Sequence, residues 1–361
     1  MISLFKPYVP NNVIEELEQN LYSGKLSFGE NGKLFEKNIA KFLGNDLFIS
    51  TSSYNYALLI LLTALNLKPG DEIIASPVSC LASNQPFVTK KLKINWVDID
   101  PQSGTICLDD LKKKISKKTK AVFVNYFCGY VGNCKEIYEL VKRHSIFLID
   151  DSIEAFGAEF NKNYVGNLYS DATVFSFQTV RLPNTIEGGG IAFKNRELFE
   201  KSVIIRDYGI NRANFRDYRG EISDKCDIKV EGFGALMPEI NSIIGLKQID
   251  QLGRLLKIQR ENAIQWVNRL QDRSDLRPLE RVEGAKPNYW VFGILAKDKE
   301  KAMDTFREKG FYSSSVHINN NIYSVFKNQN DLPGVIEFMN SFLAVPCGWW
   351  VNKDDIDNLI W

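Results

Sequence analysis

The chain has 361 residues, 44% of them apolar and 25% charged, with a formal net charge of +1. That length supports one large domain plus a smaller one, and the charge balance excludes the field of a nucleic-acid or membrane-surface protein. No apolar stretch is long enough to span a bilayer, and MISLFKPYVPNN at the start lacks the pattern of a signal peptide.

In chain order, apolar residues at helical spacing predict helices over 13–22 and 32–43, and DLFIST (46–51) predicts a strand. ALLILLTALNL (57–67) predicts a helix ending at Lys68-Pro69-Gly70, and DEIIASP (71–77) a strand. KINWVDID (93–100), AVFVNYF (121–127), IFLIDD (146–151), ATVFSF (172–177) and GGGIAFK (188–194) are further strand candidates. The basic run from Lys112 to Lys120 lies beside Asp109 and Asp110 in an amphipathic stretch and reads as a solvated helix face. Residues 237–271 are long and helical. From about Pro287 a smaller α+β pattern begins, with a strand over 289–296, a helix over 299–310 capped by Gly310, and an extended run over 312–318.

Strands alternating with helices predict a mostly parallel sheet covered on both faces. Ligands of such sheets sit beyond the carboxyl ends of the strands. That rule points to Ser50–Tyr54, Pro77–Cys80, Asn125–Gly129, Asp150–Glu154 and Ser176–Arg181. The six cysteines, Cys80, Cys107, Cys128, Cys134, Cys226 and Cys347, form no C-x-x-C pair and suit a reducing cytoplasm. Two histidines, His144 and His317, are too few for a histidine-rich metal site, so no metal is expected.

Asp150 and Asp151 follow four apolar residues and therefore end a strand. Neighbouring strand residues face opposite sides, so one faces a pocket and the other the turn. A carboxylate there can hydrogen-bond a protonated ring nitrogen, or be no more than a solvated strand end. STSSYNYALL (50–59) offers free N–H groups and Ser53 to a phosphate, or simple capping by Ser52 or Ser53. ATVFSFQTVRLPNTIEGGGIAF (172–193) looks like an active-site loop between two strands, with one arginine, one glutamate and three glycines.

Taken in order, these segments resemble one family over nearly the whole chain, the DegT/DnrJ/EryC1/StrS nucleotide-sugar aminotransferases. SGKLSFGENGKLFEKNIAKFLG (23–44), the P-G-D-E turn at 69–72, KKTKAVFVNYFCGYVGN (117–133), FLIDDSIEAFGAEF (147–160), RDYGINR (206–212) and EINSIIGLKQIDQL (239–252) carry the likeness. It implies the fold-type I architecture of pyridoxal-phosphate enzymes: an α/β fold with a mostly parallel seven-stranded sheet between helices. The expected division is a large α/β domain over 1–240, then a long helix and small α+β domain over 241–361. A nucleotide-linked sugar of surface-polysaccharide biosynthesis is the implied ligand. A homodimer, or a heterodimer with a homologous aminotransferase, is the implied assembly.

The family's site residues carry over unevenly. Asp151 matches the aspartate that salt-bridges the cofactor's pyridine nitrogen, Glu154 a residue over its ring, and Ser176 a serine on its phosphate. Gln178 lies on the same loop, and Cys80 is in the neighbourhood that stacks on the ring. Ser53 matches the first residue of a Ser-Gly-Thr phosphate turn, where Tyr54 and Asn55 replace the glycine and threonine. The phosphate-binding asparagine expected near GFGALMPE (232–239) is Gly234, and Leu236 stands near the place of a basic residue. Ser176-Phe177 and Glu187-Gly188-Gly189 together set the Schiff-base lysine position at Arg181, and no lysine lies between Lys162 and Lys194. His317, Asn319, Asn320 and Tyr323 form a polar cluster for sugar or base, with His317 a catalytic candidate alongside Glu154 and the altered Arg181. Trp349 and Trp350 read as packing residues or a stacking surface. Ordinary amino transfer is therefore not expected. Three readings follow: a dehydratase-like enzyme holding pyridoxamine or pyridoxal phosphate without a covalent link, a cofactor-free sugar-nucleotide enzyme or binder, and a non-catalytic partner of an active homologue.

Overall fold

The computed structural model describes residues 1–326 and 331–359. Helices α1 (Ile14–Ser23) and α2 (Glu30–Leu43) precede β1 (Phe48–Thr51) and α3 (Tyr54–Ala64). Then β2 (Glu72–Ala75), α4 (Leu81–Thr89), β3 (Lys93–Trp96), α5 (Leu108–Lys114), β4 (Thr119–Asn125), α6 (Cys134–Lys142) and β5 (Phe147–Ser152) alternate. A hairpin of β6 (Glu159–Phe160) and β7 (Asn163–Tyr164) leads to β8 (Ala172–Ser176), β9 (Gly189–Phe193) and α7 (Arg196–Arg206). The main sheet has seven strands in the order β1-β9-β8-β5-β4-β2-β3. Only β9 runs against its neighbours. This is the α/β architecture expected.

Alternation along the strands divides the core. Ile73, Ala121, Phe123 and Ile149 face a large cluster with α3, while Ile74, Val122, Val124 and Leu148 face a second cluster with α6. The same alternation separates the two aspartates that end β5.

The second half holds α8 (Glu239–Ile249), α9 (Leu252–Leu270), β10 (Leu276–Pro278), β11 (Ala285–Lys286), β12 (Phe292–Ala296), α10 (Lys299–Glu308), α11 (Pro333–Ser341), β13 (Phe342–Val345) and α12 (Lys353–Asp357). Strands β10, β12 and β13 make a small antiparallel sheet, and β11 pairs with β6. Four local expectations are corrected. The helix over 237–271 is two helices, with Asp250 and Gln251 between them and Leu252 then buried beside Phe156 and Phe175. The strand over 289–296 begins at Phe292, because Tyr289 is left-handed and Asn288 Oδ1 takes the Trp290 N–H. The run over 312–318 is irregular: Val316 has φ +62° and Ser314 makes only an isolated bridge to Ala344. The basic run is helical only to Lys114, beyond which Lys117, Lys118 and Lys120 are exposed.

One carboxylate joins the entry helices to the site scaffold. Glu239 begins α8 with its side chain at the amino end of α2, where it accepts from the backbone N–H groups of Gly29, Asn31 and Gly32 (2.8, 3.1 and 2.8 Å) and from Asn31 Nδ2 (2.9 Å). Those N–H groups have no partner within the helix, and the helix dipole favours a negative charge there. Glu239→Gln should therefore lower unfolding stability by about 2 kcal/mol, read from the urea midpoint at constant m-value.

Candidate functional site

The reversed strand builds the floor of the site. Because β9 is antiparallel, its first residue lies at the edge where the other strands end, and Gly189 sits directly between Thr51 and Ser176. A side chain at Gly189 would meet the Ser53 carbonyl oxygen at 2.6 Å, so only glycine lets the Ser53 turn lie this close. Ser53 caps α3 by accepting from Tyr56 N–H (3.2 Å). Ser176 is buried and its hydroxyl accepts from Gln178 N–H (3.3 Å). The side chain of Gln178 reaches Glu187 (3.3 Å).

The loop from 177 to 188 is held from outside by α8. Asn184 N–H donates to Gln248 Oε1 (3.0 Å), Gln248 Nε2 donates back to Asn184 O (2.7 Å), and Asn241 Nδ2 reaches the carbonyls of Thr185 and Glu187. Within this frame Arg181 is only 6% exposed. Its guanidinium lies 4.1 Å over the ring of Trp290, with Nη2 3.7 Å from Glu154 Oε1. Trp290 in turn donates to Val180 O (2.8 Å) and stacks on Phe5. Arg181 Nε and Nη1 are buried and find no acceptor among the described residues.

Glu154 is the charge centre. It accepts from Cys128 N–H (2.6 Å) and pairs with His317 Nε2 (2.7 Å). Burial alone would raise its carboxyl pKa, but His317, Arg181 and the Cys128 N–H outweigh it, so the group is held below its usual value. His317 keeps a partly open edge, with 21% of its side chain exposed. The Cys80 thiol is pushed up to about 11 by burial and by the Glu154 charge, which leaves it protonated and poorly nucleophilic.

Asp151 has no exposed surface. The hydroxyl of Tyr54 donates to Oδ1 (2.8 Å), Ile153 N–H also reaches Oδ1 (3.1 Å), and Asn125 Nδ2 donates to Oδ2 (2.6 Å). Burial raises its pKa to about 6, against the opposing pull of Ser83, Tyr54, Asn125 and the Ile153 N–H. Asp150 faces the other side, near Tyr126 and Ser170, and burial takes it to about 7.

The structure thus brings Arg181, Glu154, His317 and Cys80 together, and joins Tyr54 to Asp151. The polar cluster does not form as one surface. Asn320 is buried and donates to Ser79 Oγ and Cys80 O, Asn319 bonds Asn321, and Tyr323 is exposed. Trp350 donates to Ser3 O, and Trp349 packs edge-on against Tyr8. Gly234 lies against the hydroxyl of the exposed Tyr208, 2.1 Å from where a side chain would begin, so a larger residue there would displace that ring. Ser83 and Trp290 belong to the site and were not singled out from sequence, whereas Asn125 opens one of the strand-end segments that were. Asn125 had a signal, since it ends β4 beside Asp151. Among the described residues no cluster suits a metal ion, and no helix is long and apolar enough to cross a membrane.

These residues do not fit a phosphopyridine cofactor in the expected manner. A ring nitrogen needs an open face on Asp151, and that carboxylate is closed by donors from the chain itself. The loop offers no lysine amine for a covalent link.

A family model described as the DegT/DnrJ/EryC1/StrS aminotransferase family matches residues 7–360. The spore coat polysaccharide biosynthesis protein SpsC of Bacillus subtilis is 26% identical over 98% of this chain and 94% of its own length. A GDP-4-keto-6-deoxy-D-mannose 3-dehydratase of Escherichia coli is 28% identical over 78% of this chain and 75% of its own. Among solved structures, the sugar aminotransferase CalS13 of Micromonospora echinospora superposes with a TM-score of 0.93 at 26% identity, covering 99% of this chain and 97% of that one.

The Asp150 shift has a signed consequence. Its folded-state pKa is raised from 3.8 to about 7, so its contribution to stability is fully present below pH 3.8 and is lost as pH rises through 7. Asp150→Asn removes this titration. The stability of Asp150→Asn relative to wild type should increase from pH 4 to pH 7.5, measured by urea unfolding at each pH.

Proposed function

The chain belongs to the DegT/DnrJ/EryC1/StrS aminotransferase family, and from that premise we propose that it binds a nucleotide-linked sugar of surface-polysaccharide biosynthesis and carries out no pyridoxal-phosphate amino transfer of its own. The observation behind this reading is Arg181. A guanidinium stays protonated in proteins, so it neither forms a Schiff base nor shuttles a proton as a lysine amine does. Here it is fixed against Trp290 and Glu154, in a position no neighbouring lysine can take.

The same geometry supports a binding role. Buried donors without partners call for an acceptor, and Arg181 Nε and Nη1, on opposite edges of the guanidinium, each have a hydrogen to offer to an oxygen of a phosphate or carboxylate. His317 Nε2 is hydrogen-bonded to Glu154 Oε1 at the partly open edge, where burial and the Glu154 charge keep the Cys80 thiol neutral. The substrate class draws on the names of SpsC and the GDP-sugar dehydratase. We assign the protein to the cytoplasm and to a dimer with a second copy or with a homologous aminotransferase. Leu21, Tyr22, Leu26 and Leu34, exposed on and beside α1 and α2, support such association.

Two measurements check the reading. Incubation with pyridoxal phosphate and borohydride should leave no phosphopyridoxyl adduct on a pocket residue, and an adduct with turnover from glutamate would sink the proposal. In a thermal-shift panel of GDP- and UDP-linked sugars, at least one ligand should raise the midpoint of the wild type. Arg181→Ala should weaken that ligand about tenfold or more, the scale of one charge-assisted hydrogen bond.

A further inference from the structure

Two points on the strand ends would anchor a phosphopyridine: the amino end of α3, for a phosphate, and Asp151, for a ring nitrogen. In this chain a single residue bridges both. Tyr54 is the first residue of α3, directly after the Ser53 cap, and its hydroxyl reaches Asp151 Oδ1 at 2.8 Å. Its ring is 1% exposed and belongs to the main core cluster, and the hydroxyl also approaches Ser83 Oγ (3.5 Å). Neither Asp151 nor Tyr54 is open to water. A ring therefore cannot approach Asp151 from this side unless Tyr54 leaves.

We infer that Tyr54 is a built-in occupant of the cofactor cavity, its phenol ring standing in the place of a pyridine and its hydroxyl standing in for the protonated ring nitrogen. The substitution is chemically coherent. A pyridinium N–H and a phenol O–H are both single donors on the edge of a flat six-membered ring, and either satisfies a carboxylate that cannot reach water. The phenol is also kept as a donor: burial, then the Asp151 charge, raises its pKa well above the usual 10. Gly189 carries the Ser53 turn at a distance no side chain permits, and Thr51 Oγ1 donates to Ser53 O (2.8 Å), so the turn that bears Tyr54 is fixed on both sides. The fold thus keeps the anchoring carboxylate of a cofactor site while filling the site from within.

This inference rests on the reading that the chain performs no cofactor chemistry, and it explains why Asp151 is retained without it. The test uses the full chain and pyridoxamine phosphate as probe, with thermal shift and the near-ultraviolet band retained after desalting as readouts. Wild type should show neither signal. Tyr54→Gly, which removes the ring, should gain both, with a midpoint rise of about 3 °C at saturating probe. Tyr54→Phe keeps the ring and loses only the hydroxyl, so it should remain without signal. Wild-type protein that retains the probe, in a manner abolished by Asp151→Asn, overturns the inference whether or not Tyr54→Gly folds. So does a folded Tyr54→Gly that takes up no probe, or a Tyr54→Phe that gains as much as Tyr54→Gly. The nucleotide-sugar shift of the wild type is read separately: its absence counts against the proposed function and leaves the Tyr54 result standing.

Discussion

A carboxylate sealed from water has to find its hydrogen-bond donors inside the chain. Asp151 is in that position at the end of β5, and the arrangement around it follows from the requirement. Asn125 comes from the next strand, Ile153 from the turn beyond, and Tyr54 from the first turn of α3 across the strand ends. Together they offset part of the desolvation that would otherwise protonate the group, and its pKa settles at about 6. The tyrosine adds a buried ring to that bond, so satisfying Asp151 and filling the crevice are one event.

The second charged group solves the same problem differently. Glu154 stays ionised because it draws on a histidine, an arginine and a backbone N–H at once. Arg181, held over Trp290, is left with two donors to spare. The site therefore has two unlike ends: a closed one at Asp151, and one near His317 where Arg181 keeps two buried donors without acceptors among the described residues. A hydrogen-bond acceptor suits the second, while the first is closed by donors from the chain around the Asp151 carboxylate.

Much of this was legible in the sequence, for physical reasons that differ by residue. Strands β2, β4 and β5 announced themselves because they are covered on both faces and so read as short apolar runs. The aspartate pair was legible near a strand end because four apolar residues lead into it, and alternation then sets the two on opposite faces. The inward turn of Tyr54 was not legible, since a tyrosine opening a helix reads equally well as a solvent-facing ring. Trp290 was invisible for another reason: its bond to Val180 spans 110 residues of chain, and no local pattern announces it. The run near Val316 reads as extended because its residues suit that conformation, yet a left-handed backbone at Val316 overrides the preference.

The grip of Gln248 and Asn241 on the loop gives one consequence for how such a protein changes over generations. The clamp takes hold of Asn184, Thr185 and Glu187, and leaves residue 181 to the opposite side. The path of the loop is thereby insulated from the identity of the side chain it presents. A lineage can exchange that side chain, and with it the chemistry, without having to reinvent the scaffold. Loss of a reaction and survival of a fold become separable events, and a family can accumulate members that share a shape long after they have ceased to share a trade.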